Sequence, residues 1–347
     1  MASAKRNIRS LSDEELSNYL VSSGFPKFRI QQVGRWIWNN NACDFSVMHN
    51  LGDALICLLN EHFFIDKLQI KNTQISSDKT IKCGFSTHEG QIIEGVLIPT
   101  ATRMTACISS QVGCSLACLF CATGKMKLEK NLSPGEIVDQ VVMLEQLAQK
   151  HYEKGLSNIV LMGMGEPLLN YSNVLTAIAI LTDPNRYGIS PKRITLSTAG
   201  IAKMIRKLGD DKVRFNLALS LHAADDSKRS EVMEINQTNN LDALSDALVY
   251  FHEQTKTRIT FEYILFQDFN DSLEDAAKLS TFAKCVPCKI NLIEYNPIGD
   301  GKFHRSNAKK TEDFRNYLEQ KNLVVNVRRS RGKDIDAACG QLANKVP

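Results

Sequence analysis

Residues 107–124 read Cys107-Ile108-Ser109-Ser110-Gln111-Val112-Gly113-Cys114-Ser115-Leu116-Ala117-Cys118-Leu119-Phe120-Cys121-Ala122-Thr123-Gly124. Within them, Cys114, Cys118 and Cys121 stand at C-x3-C-x2-C spacing. Gaps this short let one loop wrap three thiolates around a small inorganic core. A [4Fe–4S] cluster normally takes four thiolates, so three would leave one iron open to an outside ligand. Zinc is the rival, because it also takes thiolates. Its motifs usually pair C-x2-C units or add histidines, and no histidine lies near this loop. Thiols grouped in this way read as a metal site rather than as scattered core cysteines.

Downstream of Met104 the pattern is regular. Strand candidates fall at 104–109, 158–163, 193–198, 214–220, 258–265, 288–295 and 323–328. Helical stretches lie between them at 134–152, 172–182, 200–208, 239–254, 271–284 and 308–320. Ser133 as N-cap, Pro134 at N1 and Glu136 at N3 mark the first helix. This alternation implies a parallel α/β sheet. Working groups in such folds sit where strands end, and the cysteine loop follows the first strand. Gly163-Met164-Gly165-Glu166-Pro167 ends the second, Ser197 the third, Ser220-Leu221-His222 the fourth and Asn296 the sixth. Read alone, the glycine pair is a tight turn rather than a nucleotide-binding G-x-G-x-x-G. His222 alone reads as a hydrogen-bonded core histidine.

Upstream, 67–75, 80–86 and 91–98 read as a short antiparallel meander. Glu94 interrupts the last of these apolar runs, where a carboxylate is costly unless functional or paired. Before the meander, Ser12 and Glu15 form a capping box at the head of a helix. Helical patterns follow at 28–39 and 55–64. The expected division is a helical RNA-binding accessory unit over 1–66, a meander linker over 67–99 and a catalytic unit over 100–347.

At 347 residues and 43% apolar content, the chain can bury a sizeable core. Ten cysteines are too sparse for a disulfide scaffold, and no signal peptide or membrane-length apolar run is seen. A cytoplasmic, reducing setting and a monomer are expected. The net charge of +4 is mild. However, Lys5, Arg6, Arg9, Lys27, Arg29 and Arg35 gather at one end. Lys302, Arg305, Lys309, Lys310, Arg328, Arg329, Arg331 and Lys333 gather at the other, as a phosphate-contacting rim would require. Cys285 and Cys288 form a lone C-x2-C without a partner pair and read as structural.

The triad resembles the radical S-adenosylmethionine (SAM) superfamily. Together with Met162-Gly163-Met164-Gly165-Glu166-Pro167 and Asp336-Ala337-Ala338-Cys339-Gly340-Gln341-Leu342, the stretch 107–124 resembles the RlmN/Cfr family of RNA adenine methyltransferases over nearly the whole chain.

The resemblance implies an open, partial (β/α)6 barrel. It implies that Cys114, Cys118 and Cys121 hold a [4Fe–4S] cluster, and that Gly165, Glu166, Ser197, Ser220, Leu221, His222 and Asn296 contact SAM. It further implies that Cys339 is methylated and then activated as a radical, that Glu94 accepts the ring proton, and that Cys107 releases the product through a transient disulfide with Cys339. By themselves, Cys107 and Cys339 read as ordinary buried thiols. Methylation of C2 of an adenine in 23S rRNA and of the adenine 3′ of the anticodon in tRNAs is the implied activity. The implied reductant is of the flavodoxin/flavodoxin reductase kind. A Cfr-like C8 methyltransferase, a non-catalytic metal-bearing RNA-binding protein and a radical SAM enzyme acting on a small molecule or peptide are the competing readings.

Overall fold

The computed structural model describes residues 5–299 and 301–344. Met1–Ala4 of the basic opening stretch, Asp300 and Lys345–Pro347 lie outside the described residues. The chain opens with the two-residue strand β1 (Arg6–Asn7) and three helices, α1 (Asp13–Ser22), α2 (Arg29–Trp38) and α3 (Asp53–His62). At the head of α1, Ser12 Oγ accepts from Glu15 N at 3.1 Å, and the Glu15 carboxylate accepts from Ser12 N at 2.7 Å. This is the capping box the sequence leads one to expect. The three helices bury Leu16, Leu20, Val33, Ile37, Leu55 and Leu59. The strand β2 (Phe63–Phe64) then pairs in parallel with β1.

The meander follows as β3 (Gln69–Ile75), β4 (Ile81–Ser86) and β5 (Ile92–Pro99). Next comes β6 (Met104–Ile108), antiparallel to β5 but parallel to β9 (Asn158–Leu161). Between them lie a small ribbon, β7 (Gln111–Val112) with β8 (Lys130–Asn131), and helix α4 (Pro134–Tyr152). Five further connections carry the chain through α5 (Tyr171–Thr182), β10 (Ile194–Thr198), α6 (Ala202–Asp210), β11 (Asn216–Ser220), α7 (Asp226–Val232) and α8 (Leu241–Thr255). The last elements are β12 (Ile259–Leu265), α9 (Leu273–Phe282), β13 (Cys288–Glu294), α10 (Ala308–Gln320) and β14 (Val325–Arg328). Seven parallel strands and six helical crossovers realise the expected alternation.

The ten-stranded sheet runs in the order β14-β13-β12-β11-β10-β9-β6-β5-β4-β3. The stretch 67–99, set apart from sequence as a linker, is therefore hydrogen-bonded into the same sheet as the parallel strands. The sheet is open, with β3 and β14 at its edges. The edges meet through polar contacts rather than a ladder. Asp334 accepts from Ser76 Oγ at 2.5 Å and from Ser77 N at 2.9 Å, and Asp78 accepts from Gly332 N at 3.0 Å. All seven residues of β12 are buried, as expected of a parallel strand covered on both faces.

Where the helical module meets α4, Arg9 forms a buried ion pair. Arg9 donates to both oxygens of Asp139 at 2.7 and 2.8 Å, and its guanidinium stacks over the Trp38 ring at 4.7 Å. Among the described residues, no helix is long and apolar enough to cross a membrane.

Candidate active site

The C-terminal ends of the parallel strands open into one cavity, and the cysteine loop lies across it. That loop is held from below by residues just after β6. Gln140 of α4 accepts from Ser109 N at 2.8 Å and returns a bond to Ser109 O at 3.0 Å. Ser109 Oγ in turn donates to Glu94 O and accepts from Met164 N. Gly113 sits at φ +76°, and a Cβ there would lie 1.9 Å from the Lys127 carbonyl oxygen. Only glycine fits that crossing.

Cys114, Cys118 and Cys121 line the cavity together with Cys107, Gly165, Glu166, Ser197, Ser220, His222 and Cys339. These are ten of the thirteen residues singled out from sequence. Burial holds the metal-free thiols in the protonated form, raising Cys114 to about 11 and pushing Cys118 and Cys121 up as well. Metal binding there must release protons. Among the described residues, no three His, Cys, Asp or Glu side chains gather around a single-ion position. A cubane needs no such convergence, because each thiolate bonds a different iron. A phenyl ring backs the loop: Phe120 meets the His222 ring edge-on at a centroid distance of 4.7 Å.

Glu166 is buried, and its oxygens accept from Leu168 N at 3.0 Å and Ala199 N at 2.8 Å. Burial raises its pKa, and the Ala199 bond opposes this. Gly165, at φ +93°, leaves no room for a Cβ, which would meet Gln111 Cβ at 2.4 Å. Gln111 Oε1 instead accepts from Glu166 N at 2.8 Å, so the turn and the cysteine loop share one bond. Ser197 Oγ and Ser220 Oγ lie 3.4 Å apart.

His222 adopts φ +56°, and its Nδ1 accepts from Ile264 N at 3.1 Å. Burial lowers its pKa to about 3, so the ring is neutral with Nε2 as its donor. The sequence-level reading as a bonded histidine and the placement at the cavity are therefore compatible.

Three of the thirteen lie off the cavity wall. Leu221 is fully buried, and its carbonyl accepts from Ala223 N and Arg229 Nε. Asn296 stands behind Cys339, donating to its carbonyl at 3.2 Å, while its Oδ1 is buried without a partner. Glu94 is turned to Lys82 and to the C-terminal backbone.

The segment carrying Cys339 is laced to the cysteine loop. Ala122 N donates to Gly340 O at 2.7 Å, and Thr123 Oγ1 to Leu342 O at 2.6 Å. These bonds bring a thiol 218 positions beyond Cys121 back into the cavity that the triad lines. All ten cysteines are free, so no disulfide joins Cys107 to Cys339 in the structure.

One charged group of the cavity and one buried behind it were not picked out from sequence. Glu262 of β12 is buried and pairs with Arg328 at 3.2 Å. Arg229 of α7 is fully buried behind the turn after β11, donating to Leu221 O, Ala199 O and Asn236 Oδ1. A carboxylate inside an apolar strand was a readable signal for the first. Nothing local marked the second.

A family model described as the Radical SAM superfamily matches residues 108–280. A second, described as the ribosomal RNA large subunit methyltransferase N-terminal domain, matches residues 6–65. A probable dual-specificity RNA methyltransferase RlmN of Cytophaga hutchinsonii is 56% identical over 341 residues, covering 98% of this chain and 93% of that protein. A protein of the same description from Christiangramia forsetii is 49% identical, covering 98% and 97%. Among solved structures, a radical SAM methyltransferase from Sphaerobacter thermophilus superposes with a TM-score of 0.91 at 36% identity, covering 97% of this chain and 99% of that one. Radical SAM proteins use a [4Fe–4S] cluster and SAM. The donor set suits both, with three thiols around one cavity and a buried, unpartnered Asn296 Oδ1 behind the Cys339 backbone. The chain belongs to the RlmN family of radical SAM RNA methyltransferases.

Proposed function

We propose that the protein methylates C2 of one adenine in the peptidyl-transferase region of 23S rRNA, and of the adenine 3′ of the anticodon in tRNAs, through an S-methylcysteine at Cys339. The observation that supports this most is that Cys107 and Cys339 line one cavity with Cys114, Cys118 and Cys121. A protein that only bound RNA would have no use for that arrangement. Adenine C2 carries no nucleophilic lone pair, so a methyl group held on the protein is a chemically sensible carrier.

In this reading Cys114, Cys118 and Cys121 hold the cluster, and the turn at Gly165 and Glu166 with Ser197, Ser220, His222 and Asn296 receives SAM. When bound, the cluster and SAM supply the radical chemistry that makes an unreactive C–H bond reactive. The chain's own residues do the rest. Burial raises the Cys107 thiol to about 12, and the Arg328 charge opposes that rise and favours its thiolate. Cys339 carries the one-carbon unit, and Cys107 resolves the enzyme–RNA adduct, leaving a transient disulfide that an outside thiol must reduce, while an electron donor of the flavodoxin kind serves the cluster. The helical module and the basic segments near Arg328 hold the RNA, which makes binding weaken as salt rises.

Mass spectrometry of rRNA and tRNA from a deletion strain tests this reading. Loss of 2-methyladenine is expected, with its return on complementation by the parent gene but not by Cys339→Ala. Loss of a C8 methyl instead would assign the other branch of the family.

A further inference from the structure

Glu94 is 1% exposed, on the face of β5 that also carries the diagonal neighbour Lys82 of β4, itself 4% exposed. Its two oxygens are both engaged. Oε1 lies 3.3 Å from Lys82 Nζ, and Oε2 accepts from two successive backbone amides, Ala343 N at 2.9 Å and Asn344 N at 3.2 Å. A carboxylate this deeply buried needs such partners to remain charged. Bonds from N–H groups to a charged acceptor are also the stronger kind.

The segment that donates those bonds has no regular structure after Ile335 among the described residues. Its carbonyls are held from outside: Asn296 donates to Cys339 O, Ala122 N to Gly340 O and Thr123 to Leu342 O. Glu94 takes the N–H groups at the far end of the same segment. Cys339 thus hangs between a carbonyl-side set of contacts and one carboxylate.

We propose that Glu94, paired with Lys82, is a positioning residue that anchors the C-terminal segment and so fixes Cys339 over the cysteine triad. This differs from the proton-acceptor role that the family resemblance implies for it. It rests on the reading of Cys339 as the methyl carrier.

Two double variants separate the acceptor from the charge. Lys82→Met with Glu94→Gln removes both charges but keeps an oxygen for Ala343 and Asn344. Lys82→Met with Glu94→Leu removes the oxygen as well, without stranding a buried lysine. The readouts, on RNA-free protein, are hydrogen exchange of the peptide spanning Cys339–Asn344 and the alkylation rate of Cys339. Exchange at Ala343 and Asn344 is expected to be at least about tenfold faster in the Leu variant, because two charge-assisted bonds no longer hold a locally opening segment. Cys339 alkylation is expected to speed up with it, and the Gln variant, which keeps neutral bonds to Ala343 and Asn344, to fall between the parent and the Leu variant. Equal exchange in the two variants, or faster exchange with unchanged Cys339 alkylation, overturns the proposal. Should the Leu variant not fold, Glu94→Asp withdraws the charge by one methylene while keeping Lys82 paired. Faster exchange supports the anchor there too, and parent-like exchange overturns it. Failure of the methyl-carrier reading shows separately, as no labelled methyl on Cys339 of the parent protein, and leaves the exchange result untouched.

Discussion

Arg328 Nη1 lies 3.2 Å from Glu262 Oε2, and Asn291 Nδ2 donates to the other oxygen of the same carboxylate at 2.8 Å. The register Glu262↔Asn291↔Asn326 puts these groups on one face of neighbouring strands, so Arg328, two residues on from Asn326, is aimed into the cavity by its strand. Burial raises the Cys107 thiol to about 12, the neighbouring Cys339 adds to this, and the Arg328 charge opposes both. Removing the cation must raise the thiol further and lower the thiolate fraction at any pH below it. In Arg328→Met, Cys107 should be alkylated roughly threefold to tenfold more slowly at pH 8, with Arg328→Lys in between. Equal rates in all three proteins would show that Arg328 serves only to neutralise Glu262.

The glycine at 165 is a second place where one atom decides the site. A Cβ there would meet Gln111 Cβ at 2.4 Å and Oε1 at 2.8 Å, at a φ of +93°. Gln111 cannot yield without losing its bond to Glu166 N. Gly165→Ala should therefore cost about 1–3 kcal/mol of stability. SAM affinity should fall with it, measured by thermal unfolding and equilibrium binding on the same preparation.

Much of this was readable before the fold was known, and the reason is range. The capping boxes at Ser12 and Ser133 and the spacing of the triad are set within a few residues, so the sequence carries them directly. Residues at strand ends, such as Ser197, Ser220 and His222, follow once the strand–helix period is recognised. Arg229 did not follow. It sits on the seven-residue α7, a short polar helix whose apolar periodicity is too brief to register, and only tertiary packing brings it under Ala199 and Leu221. Arg328 was legible as one of several basic residues near the C-terminus, but nothing local distinguishes it from Arg329 or Arg331. The pairing with Glu262 across two strands does. The same rule that drew attention to Glu94, a carboxylate inside an apolar strand, applied equally to Glu262 in Ile259–Leu265. Glu94 itself lies in a meander that adjoins β6, which no reading of turns could reveal.

Asn296 offers a test of SAM placement that does not depend on turnover. Its Oδ1 is buried without a partner, a costly state in the free protein. Asn296→Leu removes that atom, and stability without SAM should change by no more than about 1 kcal/mol, since only the Nδ2 bond to Cys339 O is lost. If Oδ1 receives a donor from SAM, affinity should fall at least about tenfold. Unchanged affinity would show that SAM does not reach Asn296.

His222 predicts an acid-side stability loss of definite sign. Its folded pKa is about 3, below the ordinary 6.5, because burial disfavours the cation and Arg229 adds to this. The unfolded chain therefore takes up the proton first as pH falls. The stabilisation is complete above about pH 6.5 and is lost progressively toward pH 3. His222→Phe should cost about 1–3 kcal/mol at pH 7 by stranding Ile264 N–H, yet show a shallower loss of stability between pH 6.5 and 4. Urea unfolding across that range checks both, and an unchanged acid slope would rule out His222 as its source.

The attachment of the helical module can be tested through Arg9. Arg9 and Asp139 are each 2% exposed at the side chain, and Asp139 also accepts from Leu68 N at 3.0 Å. Replacing the arginine alone leaves a buried carboxylate with one neutral donor, and Arg9→Met should destabilise by about 3–5 kcal/mol. Removing both charges is a different case, because the desolvation cost of the carboxylate disappears with it. Arg9→Met with Asp139→Leu should recover most of that loss, short of the bonds to Leu68 N and to the Asp66 and Gly135 carbonyls. Trp38 keeps a second cation, since the Arg186 guanidinium lies 6.0 Å from its ring and also pairs with Asp13. The module should therefore stay docked in the double variant, with resistance of the α1–α3 region to limited proteolysis close to that of the parent. Proteolysis in the double variant as fast as in Arg9→Met would show that the ion pair itself, rather than the packing around Trp38, holds the two parts together.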